Sequence, residues 1–318
     1  MMKLLLLTIS LSSSLFLSSA FAMQNNIVKI MIDDQNTQII SDLNSHRLTL
    51  ELFEKMKDGT ERKLENFALH HGKYMHLALF HENGSTFAHL HPIYNKDKNV
   101  FTIDLNFPKE TYDDQDQIKA LTKAGKYFGF ADVKTEDDRI MRMIRFQIEV
   151  KGQNKLNKFK LSTQNGTTFS SYSNGKGDVA SKGAFYKIET SYSQLQGQGG
   201  INIEFVSKIF KIDPVTKKYK LMNKPKKWLH AGCHIAILSH TDQQLKNKVY
   251  KHLHAQFPVN DNEIGTSSEY YFSFFNRLKN RQYLWADGEY VIWHHFKIED
   301  KLLKIPVVIN YDRLYRFL

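Results

Sequence analysis

The same arrangement of residues occurs twice in this chain, and any fold must accommodate both copies. In the first, Tyr74-Met75-His76-Leu77-Ala78-Leu79 leads through a polar turn to His89-Leu90-His91; in the second, Gly232-Cys233-His234-Ile235-Ala236-Ile237-Leu238 leads to His252-Leu253-His254. Each copy later reaches a Gly-x-Tyr run, Gly125-Lys126-Tyr127 and Gly288-Glu289-Tyr290. His89 to His252 and Gly125 to Gly288 both span 163 residues, whereas His76 to His234 spans 158, so the second copy has a turn five residues longer ahead of its triplet. Self-similarity at a fixed offset, with the elements in one order, marks a duplicated unit.

The local pattern around the repeats is that of antiparallel strands: alternating or β-branched runs bounded by turn residues. Seven runs are predicted in the first half, Ile27–Ile32, His46–Phe53, Met75–Phe80, Phe87–His91, Val100–Leu105, Lys126–Val133 and Met143–Val150. Seven more follow in the second, Phe185–Tyr192, Ile201–Phe210, His234–Ser239, Val249–His254, Tyr270–Phe275, Glu289–Lys297 and Leu302–Ile309. Turn chemistry such as Asp58-Gly59, Glu82-Asn83-Gly84 and Asp287-Gly288 separates them. Helical signal is confined to an insertion, Asp113 to Ala124. The expected fold class is all-β, two tandem immunoglobulin-like β-sandwich domains over 23–150 and 183–318. A polar linker, 151–182, joins them; its Phe159, Phe169 and Tyr172 could still lay a short strand on either domain.

Residues 1–22 read as a secretory signal: Met1-Met2-Lys3, an apolar stretch from Leu4 to Leu17, and Ser18-Ser19-Ala20-Phe21-Ala22 as an A-x-A cleavage site. The apolar run is shorter than the roughly 20 residues a spanning helix needs, and no later run is apolar enough to cross a bilayer. The mature protein is therefore expected in the periplasm or outside the cell, without a transmembrane segment. Cys233 is the single cysteine, which excludes an intramolecular disulfide. The formal charge of +11 is spread as single lysines and short pairs such as Lys217-Lys218, with no long basic run, so a solvated surface is expected and nucleic acid is not an expected partner.

Taken together, Gly72-Lys73-Tyr74-Met75-His76, Phe87-Ala88-His89-Leu90-His91-Pro92, Asn106-Phe107-Pro108 and Gly125-Lys126-Tyr127 resemble the YtkA-like domain of secreted bacterial proteins. Ala231-Gly232-Cys233-His234, His252-Leu253-His254, Gly288-Glu289-Tyr290-Val291-Ile292-Trp293 and Ile305-Pro306-Val307-Val308 look like the same domain as it occurs in copper-resistance-associated exported proteins. The resemblance covers most of 25–150 and 183–312. It implies an immunoglobulin-like sandwich outside the cytoplasm that binds heavy metal, copper above all. Its implied ligands are His76, His89 and His91 in the first copy and His234, His252 and His254 in the second. The second copy departs in having Ala255 where the first has Pro92.

The residues argue the same chemistry independently. Residues i and i+2 of a strand share a face, so each His-Leu-His triplet projects two imidazoles side by side. Of 14 histidines only His46 lies outside three groups: His70 to His91, His230 to His254, and His294-His295. Neutral imidazole suits Cu(II), Zn(II) and Ni(II). Asp132 and His295 both stand seven residues past the glycine that starts the Gly-x-Tyr strand, which makes them candidate fourth ligands; the competing expectation is that His294-His295 face solvent. Met75 and Cys233 are soft donors, but each precedes its histidine by one residue and alternation turns it to the opposite face, toward the core.

No G-x-S-x-G, H-E-x-x-H, phosphate-binding loop or C-x-x-C is present, and carboxylates such as Asp113, Asp114, Asp137 and Asp138 fall in polar turns, so catalysis is not expected. The expected function is exported transition-metal binding, with copper as the metal and zinc or nickel as alternatives, for sequestration or delivery through His-x-His patches, one per domain. The alternative is a secreted or surface module with structural histidines that binds an envelope or host protein or a polysaccharide.

Overall fold

The structure is a computed structural model that describes residues 26–106, 121, 123–137, 141–152, 168–174, 182–197, 200–222, 232–239, 249–255, 270–279, 282–283, 287–298 and 301–312. The expected signal sequence, most of the expected helix at 113–124, and His230, His240, Asp113, Asp114, Asp138 and Phe159 lie outside these residues. Among the described residues the protein is all-β, and no helix is long and apolar enough to cross a membrane.

The first half contributes β1 (Asn26–Ile32), β2 (Ile39–Ile40), β3 (His46–Lys55), β4 (Glu61–Lys63), β5 (Met75–His81), β6 (Phe87–Leu90), β7 (Ile93–Asn95), β8 (Val100–Leu105), β9 (Gly125–Lys134) and β10 (Met141–Val150). They form two sheets, one ordered β1-β3-β8-β7 with β4 beside β3, the other β2-β10-β9-β5-β6. Leu48, Leu50 and Ile103 of the first sheet meet Leu77, Val133 and Ile148 of the second in one apolar core.

The second half contributes β11 (Thr168–Ser173), β12 (Tyr186–Gly197), β13 (Gly200–Ile212), β14 (Tyr219–Leu221), β15 (Cys233–Ser239), β16 (Tyr250–His254), β17 (Tyr270–Lys279), β18 (Gln282–Tyr283), β19 (Gly288–Ile298) and β20 (Lys301–Tyr311). One sheet runs β11-β12-β13-β17-β18 with β14 beside β13, the other β16-β15-β19-β20. Ile203, Phe205 and Phe272 meet Ile235, Ile292 and Ile305 in a second core. All fourteen predicted strands are present, with ends shifted by a few residues. The stretch expected to be linker carries β11, which pairs antiparallel with β12 and buries Phe169.

Every residue of β5 and of β15 is buried. A half-solvated strand alternates apolar and polar residues, whereas these two read as nearly continuous apolar runs, the mark of a strand covered on both faces. One face of each looks into its own core. The other looks across to the opposite half, where Ala78, Phe80, Phe87, Phe128 and Phe130 join Ala236, Leu238, Tyr250, Val291 and Trp293 in a third apolar cluster. The molecule is thus a stack of four sheets: the sheets containing β5 and β15 lie at the centre and pack against each other through their outward faces.

Both Gly-x-Tyr strands begin on a glycine with positive φ, +123° at Gly125 and +146° at Gly288. A Cβ at Gly125 would also come within 2.7 Å of His81 Nε2. The motif therefore rests on a backbone that side chains rarely adopt.

Candidate metal centre

The repeat places equivalent histidines in equivalent registers. Across β5 and β9, His76 stands opposite Asp132; across β15 and β19, His234 stands opposite His295. Across β5 and β6, His89 faces Ala78; across β15 and β16, His252 faces Ala236. A small alanine opposite each triplet histidine leaves room for the imidazole to lean along the sheet.

Both triplets project from the two central sheet faces, and the two patches meet. The ring centroids of His89 and His91 are 4.7 Å apart and those of His252 and His254 are 4.8 Å apart. Between the halves, His89 lies 4.7 Å from His252. Contacts recur between equivalent residues: His76 to His252 at 5.4 Å answers His234 to His89 at 5.6 Å, and Phe87 to Trp293 at 5.7 Å answers Tyr250 to Phe130 at 4.4 Å. The two patches adjoin: His76, His89 and His91 of the first repeat form one close set, and His234 and His252 of the second form another with His89. The cause is the apolar surround: burying Phe80, Phe87, Phe130, Tyr250 and Trp293 against one another brings the histidines at the end of the same faces together.

Two sets of three histidines bring one ring nitrogen each within 4.8 Å of the others: His76, His89 and His91, and His89, His234 and His252. His89 belongs to both. His76 Nδ1 lies 3.2 Å from His89 Nε2, and His234 Nδ1 lies 3.4 Å from His252 Nε2. Two nitrogens bound to one tetrahedral ion, with bonds of about 2.05 Å, sit roughly 3.3 Å apart. Both pairs have that spacing.

The tautomer of His76 follows from its neighbour. Its Nε2 is 2.9 Å from the carbonyl oxygen of His70, and a carbonyl only accepts, so Nε2 carries the proton and Nδ1 presents a lone pair. Orientation of an imidazole by a backbone carbonyl on its far nitrogen is the arrangement that metal-binding histidines adopt. Beside them, among the described residues, His254 Nε2 and His70 Nδ1 are buried without a hydrogen bond.

Burial governs the electrostatics. His76, His89 and His252 are held well below the ordinary histidine range, first by loss of water and then by the neighbouring imidazoles. His254 is lowered too, and His70 falls to about 4 for the same reason. These rings are neutral at pH 7, the form that binds metal. Asp132 is raised to about 7 by burial, opposed by Lys251 and by a hydrogen bond from the Tyr250 hydroxyl. Its Oδ2 stands 3.8 Å from His252 Nδ1. That distance is too long for a hydrogen bond, and burial presses both groups toward neutrality, so the pair is not a salt bridge.

All eight predicted site residues, His76, His89, His91, Asp132, His234, His252, His254 and His295, therefore line the interface, although only five of the histidines fall in the two close sets. Asp132 approaches His252, and His295 lies 6.1 Å from His89, ring to ring. His294 and His295 are 0 % and 1 % exposed, so the expectation of a solvent-facing pair fails. Alternation sends His295 to the central face with Trp293 and turns His294 into the core, where its Nε2 is 2.8 Å from Ser207 Oγ and 3.2 Å from Thr190 Oγ1. Met75 and Cys233 are wholly buried in their own cores and offer nothing to the cluster.

The sequence reading missed His70 and His71 as site residues. His70 to Lys73 forms a tight turn with reciprocal backbone hydrogen bonds of 2.8 and 3.1 Å, and His71 and Gly72 take φ of 50° and 79°. Positive φ at both central residues is the two-residue hairpin geometry, and the glycine is its visible signal. The turn folds His71 to within 3.9 Å of His254, ring to ring. His46 and His81 stand apart, held by Asp33 and Asp42 and by Asn83 and the Ala124 carbonyl.

An all-β protein with a buried, imidazole-lined interface between two repeats is the class that fold and site define. Residues 32–152 match a family model described as a domain of unknown function, DUF8832. No curated protein matches the chain. Among solved structures, the crystal structure of dimeric latent PorU from Porphyromonas gingivalis aligns at 9 % identity over 92 % of this chain and 24 % of that one, with a TM-score of 0.23. The chain spans about a quarter of the length of that protein, and a likeness at this level carries no argument.

Proposed function

We propose that this protein is an exported transition-metal-binding protein, with copper as the first candidate and zinc or nickel as alternatives, that holds its ion between its two halves for sequestration or delivery. The observation that carries the reading is the convergence of five imidazoles in two close sets that share His89, one with His76 and His91 of its own repeat and one with His234 and His252 of the other, with pair spacings suited to metal coordination. Asp132, His254 and His295 flank them. The donor set is nitrogen with one carboxyl, which suits Cu(II), Zn(II) and Ni(II) and lacks the thiolate and thioether donors that select Cu(I). The signal-like residues 1–22 and the resemblance to YtkA-like immunoglobulin-like domains support action in the periplasm or outside the cell.

A second reading, a secreted or surface module whose histidines are structural and which binds an envelope protein, a host protein or a polysaccharide, draws on the His76–His89 and His234–His252 contacts, which satisfy those nitrogens without an ion. Calorimetric titration of residues 23–318 with Cu(II), Zn(II), Ni(II) and Cu(I), repeated on the His89→Ala variant, separates the two. Saturable binding lost in the variant supports metal handling, and absence of saturable binding to the unaltered protein ends that reading.

A further inference from the structure

The nine clustered histidines are not equally covered. His76, His89, His91, His234 and His295 are between 1 % and 5 % exposed, whereas His70, His71, His252 and His254 are only half-buried. Of these four, His70, His71 and His254 form a group of their own at the edge of the interface. His71 stacks edge-on against His70 at 4.0 Å and against His254 at 3.9 Å, ring to ring, and His70 lies 6.4 Å from His254. The first two come from the tight turn of the first half and the third from the end of β16 in the second. Adjacent residues in an extended strand point to opposite faces, so the left-handed turn is what lets both imidazoles reach one partner.

Inward, the spacing continues without a break. His254 is 4.3 Å from His234, and His70 is 5.8 Å from His76, which opens the buried sets. Two nitrogens on this path, His70 Nδ1 and His254 Nε2, are buried without a hydrogen-bond partner among the described residues. A buried nitrogen without a partner is costly, and two on neighbouring rings at the mouth of an imidazole-lined interior point to a ligand rather than to packing.

We infer that His70, His71 and His254 form a loading site, where a hydrated divalent transition-metal ion exchanges water for imidazole before it passes inward to the buried histidines. The inference rests on the proposed metal-binding function. A hydrated cation cannot enter a buried interface whole, and a half-buried site at its edge permits water to leave stepwise while nitrogen ligands replace it. Opposite halves supply the ligands, so the interface itself is the passage.

The test is stopped-flow uptake of Zn(II) and Cu(II) by the apoprotein, followed by release to a chelator. The H70Q/H71N double variant removes both turn imidazoles; asparagine tolerates the left-handed backbone at position 71, and glutamine at position 70 keeps the carbonyl that orients His76. H254Q, on the opposite half, is the second variant and stands alone if the turn variant fails to fold. The expected result is that each slows uptake and release together, by tenfold or more, because a site on the path serves both directions. Uptake at the unaltered rate overturns the inference, as does slower uptake with faster release, which would signify lost affinity instead. If the unaltered protein takes up neither ion, the metal-binding reading itself fails.

Discussion

His89 and His252 occupy the same position in the two repeats and touch each other, with ring centroids 4.7 Å apart. A residue in contact with its own counterpart places the centre of the interface there. His89 is also the one histidine common to both close sets. Replacing it should therefore do more damage to metal binding than replacing a histidine of one set alone. His89→Ala is expected to weaken affinity by more than the 10–100-fold typical of removing a ligand's supporting partner, and His91→Ala by less, as read by calorimetry. Equal losses in both variants would show that the sets do not share an ion.

Acid should destabilise the apoprotein. The unfolded chain protonates these imidazoles near pH 6.5, whereas in the folded chain His76, His89, His252 and His254 are held lower, His70 near 4 and His294 near 3. Below pH 6.5 the unfolded state binds more protons, and stability falls as pH drops toward the folded values. Asp132 works in the opposite direction: raised from 3.8 to about 7, it favours folding at low pH and loses that contribution as pH rises through 7. Six imidazoles outweigh one carboxyl. Urea midpoints at pH 7.5, 6.5 and 5.0 should decrease in that order at the last step, and a flat profile would mean that the cluster is solvated. Proton competition for bound metal should likewise begin below pH 6, lower than free histidine would dictate.

Asp132 is 8 % exposed and must ionise inside the interface above pH 7. Asp132→Asn removes that cost while keeping the shape of the side chain. The apoprotein at pH 8 is expected to gain stability by about 1 kcal/mol, and the gain should shrink at pH 5, where the folded carboxyl is protonated and only the unfolded chain's is still ionised, disappearing once both are protonated below 3.8. Chemical denaturation at the two pH values measures it. A loss at pH 8 would show that the carboxylate is stabilised by its neighbours, Lys251 first.

Trp293 is 1 % exposed in the apolar cluster between the halves, and among the described residues its Nε1 has no hydrogen-bond partner. Its whole contribution is packing. Trp293→Ala should cost ~3–5 kcal/mol and Trp293→Phe much less. Because the histidines converge only while the halves are pressed together, the alanine variant should also lose metal affinity although Trp293 offers no ligand. Retained affinity in a destabilised variant would mean that the cluster assembles without the apolar surround.

The strands and turns could be read from the chain because period-two alternation and glycine or asparagine turns are local signals, and β8 begins and ends where the pattern places it. The likeness of Asp132 to His295 was legible too, since each stands opposite the first histidine of its copy. What the sequence could not convey is which face met which. Phe128, Phe130, Val291 and Trp293 read as ordinary apolar residues of a strand, and only their burial against the other half distinguishes them from a core. His70 and His71 were overlooked for a related reason: their approach to His254 depends on a contact between segments some 180 positions apart in the chain. β2, paired parallel with β10 through two residues, is too short for any periodicity to reveal.

Two copies that meet through the same face, residue against equivalent residue, share the geometry of a two-fold homodimer, in which one patch is complementary to itself. In such a dimer every change would appear twice. A single chain is free of that constraint, and Asp132, opposite His76 where the other repeat sets His295 opposite His234, is an instance: one half has an acid where the other has a base. The pseudo-axis through His89 and His252 therefore runs between unlike neighbours, and the two sides of the cluster are chemically distinct.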